Sequence, residues 1–402
     1  MLIFYKTISK KILHFISLSI FICVPSFVFA AETWLAPFFS LQESYDDNIY
    51  MYSSKKIDDF VTYVRPKITF YSKTERSAFT ASQGINIIRY ADRTELDTEE
   101  YQSKISFSYN FTEKLLSEFS ADYIKDTTLE SQWLETGLAL ERNTRKRYGA
   151  QSRFLYAITE KQSLDLSFFG TVVHSSSDVF YDYLYVGGSA QYSYNILLDR
   201  LSLRAICAYH YYETDLVFSR NVLNYLGMSY DFSPTLQMQA LVGARYLNSE
   251  YSRTYFIQYG NLLFEVTERY DQNDWGFLAN FELTKRLEKG SIELFLEKSI
   301  VPSIVGDVLS KKNVSLLTKR DLTERLSFGF RARYYAGKNS GSFKKYDYYS
   351  YSFRPVVRYR LTENLFMHLS YFYQYYKNKI SSDTKTRNVF YFKLTWSENY
   401  FL

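Results

Sequence analysis

Cysteine is nearly missing from this chain. Its 402 residues hold two, Cys23 and Cys207, and the first lies in an apolar N-terminal stretch. A disulfide-stapled scaffold is thereby excluded. Histidine is almost as scarce: beyond residue 30 only His174, His210 and His368 remain, and no two have metal-ligand spacing. No glycine-rich phosphate loop occurs either, so neither a metal nor a cofactor is expected. Proline is limited to 6 residues and tryptophan to 4. After residue 30 no run approaches the ~18 apolar residues that a membrane-spanning helix needs. Net charge is low as well: formally +5, of which Lys6, Lys10 and Lys11 account for three, leaving +2. That balance speaks against a nucleic-acid partner, which calls for a concentrated basic surface.

What the chain has in abundance is aromatic: 40 Tyr and 33 Phe. Its first thirty residues combine three lysines, the apolar "ILHFISLSIFICV" and the small-residue pattern "VFA" at 28–30. This predicts a cleaved secretory signal over residues 1–30 and one domain over residues 31–402. Cys23 follows Ile22 rather than a small residue, which disfavours a lipoprotein acylation site.

Beyond the signal, hydrophobicity alternates with period two. In "LFMHLSYFYQYYK" one face carries Leu365, Met367, Leu369, Tyr371, Tyr373 and Tyr375, and the other His368, Ser370 and Gln374. "LSLRAICAYHYY" sets Leu201, Leu203, Ala205, Cys207, Tyr209 and Tyr211 against Ser202, Arg204 and His210. "LSFGFRARYYA" and "FVTYVRPKITFY" follow the same rule. A soluble sandwich could alternate in this way, but its strands usually run ~5–6 residues. These segments have the ~9–11 residues or more that a tilted strand needs to cross a bilayer. With aromatic clusters at their ends, "YFYQYY" and "YDYYSYSF", they predict an all-β transmembrane antiparallel barrel with interfacial girdles.

A small unit punctuates the pattern. "YRLTEN" at Tyr359 has relatives in "YSKTER" (Tyr71), "YNFTEK" (Tyr109), "YAITEK" (Tyr156), "YNILLDR" (Tyr194), "YDFSPT" (Tyr230), "FELTKR" (Phe281) and "RDLTER" (Arg320). Each falls where one alternating segment ends and the next begins. We read them as periplasmic turns of two to five residues, with the leading aromatic at the membrane interface. The connections between them, over 42–59, 127–147, 175–182 and 248–274, are longer and polar, as extracellular loops are. Eight turns, an initial strand "WLAPFFSLQESY" and a final one "RNVFYFKLTW" give about 18 strands, with 16 to 20 admissible. Residues 134–143 could be loop or a further strand. No plug domain is expected before the first strand, which argues against a plugged TonB-dependent transporter.

Inward positions of the strands carry Arg65, Lys67, Lys104, Arg153, Arg204, Arg245, Arg331, Arg333, Arg354, Arg358, Arg360 and Lys393. The inward acids are Glu118, Asp122, Asp165, Glu282, Glu293 and Glu297. This excess of cations predicts a water-filled lumen that favours anions; alternatively, opposed charges pair across the wall and simply hold its shape. Asp46 and Asp47 in "YDDN" could bind a divalent cation or stay solvated. His174 and Ser176 share an outward strand face near the outer rim, as in the outer-membrane phospholipase family. No Asn lies in register to orient the His, so catalysis is disfavoured.

The "SYDDNIY", "TYVRPKITFY" and recurrent "YxLTE" segments resemble the outer-membrane β-barrel porin-2 type family. The outward stripe Phe390, Phe392, Leu394, Trp396 near the C-terminus resembles the signal read by the barrel assembly machinery, although a tail "NYFL" follows it. By resemblance, the chain is expected in the outer membrane of a Gram-negative bacterium, in contact with its lipids and lipopolysaccharide. It would export an exopolysaccharide or capsule-type polysaccharide together with a periplasmic polysaccharide-export protein; an anionic polysaccharide is compatible with the cation-rich lumen. The alternatives are a diffusion porin for small anionic solutes and an outer-leaflet lipid hydrolase.

Overall fold

The computed structural model describes residues 32–138, 142–176, 180–197, 200–259, 262–303, 307–339 and 345–401. The expected signal over residues 1–30 lies outside them. Five strands come first: β1 (Glu32–Asp46), β2 (Asp59–Lys73), β3 (Ser77–Tyr90), β4 (Thr98–Thr112) and β5 (Leu115–Thr127). A helix, α1 (Thr128–Thr136), separates them from β6 (Thr144–Thr159), β7 (Gln162–Ser175), β8 (Tyr183–Leu197), β9 (Leu201–Glu213) and β10 (Val217–Ser233). Two tall strands follow, β11 (Leu236–Tyr259) and β12 (Leu262–Leu287), then β13 (Gly290–Ser303) and β14 (Asp307–Asp321). The set is completed by β15 (Leu326–Asn339), β16 (Asp347–Arg360), β17 (Leu365–Asn378) and β18 (Thr384–Ser397), with a two-residue β19 (Tyr400–Phe401).

Each strand pairs antiparallel with the next, and β1 pairs with both β2 and β18, so the sheet closes into an 18-strand barrel. The "NYFL" tail has a place in this closure: β19 extends the seam by pairing with Trp34 and Leu35 of β1.

Alternation assigns the two faces. On β1, Ser40 and Gln42 are buried, whereas the alternating Phe39 and Leu41 are exposed. Following the ladders around the barrel keeps this parity, so Phe60, Phe168, Val242, Phe353 and Phe390 all project outward. Outward rings stack across β16, β17 and β18: Tyr351 on Tyr375 at 4.7 Å, Phe353 on Tyr373 at 4.8 Å, and Tyr371 beside Phe390 at 4.9 Å. Toward the other end, Tyr109 meets Phe111 and Tyr230 meets Phe232 edge to face. These two bands have the form of the aromatic girdles of an outer-membrane barrel.

The repeated Thr has a mechanical role. The Oγ of Thr74, Thr112, Thr159, Ser233, Thr323 and Thr362 each accepts a backbone N–H two or three residues on. Such side-chain turns satisfy backbone donors where the ladder reverses. Two copies depart from the expected arrangement. Phe281–Arg286 continues as strand within β12, and the chain turns only at residues 288–289. Tyr71 faces the lumen rather than the membrane, stacked on Trp34 at 5.1 Å.

The outer connections also differ in part from expectation. Residues 248–274, expected as a loop, mostly extend β11 and β12, which pair from Tyr259–Leu262 downward. The β9–β10 connection is a tight turn in which Thr214 Oγ1 accepts from Val217 N at 3.1 Å. Of residues 134–143, left open as loop or strand, 134–136 end a helix over 128–136 and 139–141 lie outside the described residues; no strand is added among the described ones.

Candidate functional site

The lumen of this barrel is filled near its outer end by its own connections. α1 has nine residues, too few to be stable alone in water, and side chains of the wall hold it in place. Leu129 and Trp133 are buried with Met51, Leu138, Leu309 and Tyr348. Burying a leucine of this kind contributes about 1.5–3 kcal/mol. The last helical carbonyls lack intrahelical partners, and wall side chains supply them. Tyr335 Oη donates to Leu134 O at 3.1 Å and Tyr348 Oη to Thr136 O at 2.6 Å. Gly137 ends the helix at φ 78, with its N–H donating to Trp133 O at 3.0 Å. A Cβ there would stand 2.5 Å from Tyr335 Cβ, so this position needs glycine on both grounds.

Three arginines pin the helix. Arg145, almost wholly buried on β6, grips Asp126 of β5 (Nε–Oδ1, 2.7 Å) and Glu135 of α1 (Nη2–Oε1, 2.6 Å). Arg142 reaches Glu130 at 2.9 Å and Arg387 of β18 reaches it at 3.5 Å. Burial would raise the Glu130 carboxyl, but these two guanidiniums outweigh it and hold the group down to about 2.

The β13–β14 hairpin is the middle layer of this cap. β13 pairs with β12 only from Lys298 to Gly290, yet continues with β14 to Ser303–Asp307. Its upper part leaves the wall and turns inward, where Tyr212 Oη of β9 donates to Ser303 O at 2.7 Å and Tyr251 Oη of β11 to Asp307 Oδ1 at 3.2 Å. Alternation gives the tip two faces: Val301 and Leu309 pack on the α1 cluster, while Ile300 and Val308 pack on Val173, Tyr183 and Tyr212.

Below the cap, the ladders place all twelve cations singled out in the sequence on the lumen face, along with the six acids. They are not equivalent. Arg153 bridges Glu118 and Asp165 at 3.1 and 2.6 Å, and Arg245 holds Asp274 at 2.6 Å. Asp122 is taken by Arg147 at 2.9 Å and Glu297 by Lys311 at 3.1 Å. Among the described residues, the other ten cations form no ion pair. Eight of them (Arg331, Arg333, Arg354, Arg358, Arg360, Lys393, Arg65 and Lys67) occupy one contiguous arc from β15 through β18 and β1 to β2. Inward carboxylates on that arc lie only at its two ends: Asp46 and Asp59 at the outer one, Glu32 at the periplasmic one. Opposed charges therefore pair across β5–β7, whereas the arc is left positive.

The two minor constellations resolve differently. Asp46 is paired with Arg387, and Asp47 accepts from Asn388 and lies 3.4 Å from Lys56, so both carboxylates are already engaged by side chains. His174 Nδ1 lies 2.8 Å from Asp182 Oδ2, while Ser176 Oγ donates to Asn143 Oδ1 and Thr144 O. Asn143 thus comes close from the start of the neighbouring strand, but to the Ser and not to the His.

The sequence reading missed Arg145, Arg147, Arg387, Asp126, Glu130 and Glu135. The period-two spacing of Arg145 and Arg147 in "TRKRYGA", and of Arg387 with Lys393, was the available signal.

Residues 33–164 match the family described as "Putative beta-barrel porin 2". A comparison with curated proteins returns no match. Among solved structures, the fold is similar to the ferric-catecholate import receptor Fiu from E. coli K12 in its open form. That likeness has a TM-score of 0.51 at 9% identity, over 91% of this chain and 82% of that one. It is also similar to the copper transporter OprC, with a TM-score of 0.50 at 9% identity over 88% of this chain; the match spans 64% of OprC's length. The chain thus has a porin-type barrel fold of the kind found in Gram-negative outer membranes.

Proposed function

We propose that this barrel is a passage for anionic solutes across the outer membrane, with an exported acidic polysaccharide as its cargo. The arc of unneutralised cations from β15 to β2 supports the anionic preference, because fixed like charges in a low-dielectric lumen concentrate counter-ions. The polysaccharide comes from the resemblance to the porin-2 type family. On this reading the protein works beside a periplasmic polysaccharide-export protein, is inserted by the barrel assembly machinery through the β18 stripe, and has no catalytic role for His174 and Ser176.

A diffusion porin for small anions is the second reading. It is favoured by the filled outer mouth, where α1 and the β13–β14 tip leave a polymer less room than a small ion. Reversal potentials of the purified protein in bilayers under a KCl gradient test the shared part; cation preference would sink both readings. Gene deletion separates them. Lost surface polysaccharide with unchanged small-solute uptake supports export, and the opposite pattern supports the porin.

A further inference from the structure

Arg331 of β15 and Arg354 of β16 stand directly opposite each other in the ladder, both on the lumen face. Like charges so placed destabilise a sheet, and among the described residues no carboxylate lies at ion-pair distance from either. Two inward positions nearer the periplasm, Arg358 stands opposite His368, and His368 opposite Lys393 of β18. Arg354 is the hub, within electrostatic reach of Arg331, Lys393 and His368. The acid Glu293 acts on Arg331 only from beyond ion-pair distance.

Packing holds these cations in place. The Arg354 guanidinium lies 4.7 Å from the centre of the Tyr391 ring, and that of Arg358 lies 3.9 Å from Phe366. Arg354 Nη2 has only a long contact to Ser370 Oγ, 3.5 Å, and its Nε is buried without a hydrogen-bond partner among the described residues. Buried donors are nearly always satisfied. A guanidinium held by packing, with an idle donor and a second arginine paired opposite it in the ladder, offers a fork for oxyanion oxygens.

We propose that Arg331, Arg354, Arg358 and Lys393 form a saturable seat for a solute carrying two or more carboxylate- or phosphate-type groups. One group would bridge the Arg331–Arg354 pair and another would reach Arg358 and Lys393. Arg358 is four residues along the strand from Arg354, about 13 Å at the backbone. The seat rests on the anion-passage reading but goes beyond it, since general selectivity requires no stoichiometric site.

The test titrates the full-length protein in detergent with propane-1,2,3-tricarboxylate, inorganic pyrophosphate and acetate, following heat of binding. Saturable binding of either polyvalent anion, at least tenfold tighter than acetate, is expected; which of the two binds identifies the source chemistry. In R331Q/R354Q that binding should weaken at least tenfold, while the folded barrel unfolds no earlier, because a like-charge pair has been removed. R354K should be intermediate, keeping charge but losing the fork. Acetate binding as tightly as the polyvalent anions, undiminished binding in R331Q/R354Q, or a lowered unfolding temperature in that variant would each overturn the seat. Reversal potentials of the same variants keep the readings apart. Anion preference without saturable binding removes the seat alone, and saturable binding in a non-conducting barrel removes the passage alone.

Discussion

Arg387 clasps Asp46 across the seam where the last long strand meets the first, Nε to Oδ2 at 2.8 Å with both side chains almost wholly buried. The same guanidinium reaches Glu130 of α1 at 3.5 Å, so one side chain joins barrel closure to the cap. Removing one partner of such a pair strands a buried charge, which typically costs about 3–5 kcal/mol. D46A should therefore lower the temperature at which the barrel loses its folded migration on a gel. D46A/R387M should recover part of that loss, because no unpaired charge remains. Equal loss in both variants would refute this account.

The cap and the wall should separate by mutation. G137A places a methyl against Tyr335 at a positive φ, and such a backbone position costs a non-glycine residue about 1–2 kcal/mol. We expect α1 to shift and single-channel conductance to rise several-fold, with barrel unfolding little changed. W133A should act in the same direction by emptying the cluster around Leu309 and Tyr348. Unchanged conductance in both would mean that α1 does not obstruct the path.

Acid should loosen the cap through Glu130. Its carboxyl is depressed to about 2 by Arg142 and Arg387 against the opposing effect of burial. A depressed carboxyl stabilises the fold above its ordinary range, near ~4.3, and that contribution is lost as pH falls through the folded value. Conductance should accordingly rise modestly between pH ~4.3 and about 2. The effect is modest because 40% of the side chain is open to solvent, which screens it. E130Q should begin with the raised conductance and lose this part of the pH dependence; an unaltered pH profile would count against the assignment.

The turn hydroxyls give a prediction with an internal control. T112A, T323A and T362A each leave backbone donors at a reversal without their side-chain acceptor, a cost of about 1 kcal/mol each. T284A alters the same motif in "FELTKR", but Thr284 lies within β12 opposite Gln237. It should shift the urea midpoint of unfolding far less than the other three.

The chain's own pattern determined the wall. Period-two alternation tells each residue which side of a sheet it occupies, and a closed barrel converts this parity into lumen or membrane without further information. The positions of Arg331, Arg354 and Lys393 were legible for that reason, and so was the approximate strand number. "FELTKR" shows where this legibility ends: a turn-like string was absorbed into a strand, its residues from Phe281 to Arg286 paired with Leu296 to Ser291 of β13 in an unbroken ladder. The cap was illegible. α1 is short and unremarkable in its own sequence, and it exists because Tyr335, Tyr348, Arg145 and Arg387 on strands far apart in the chain meet it in the lumen. Which cations stay unneutralised was likewise decided only in three dimensions. Ion pairing depends on which strands become neighbours and at what height, and alternation along one strand carries neither.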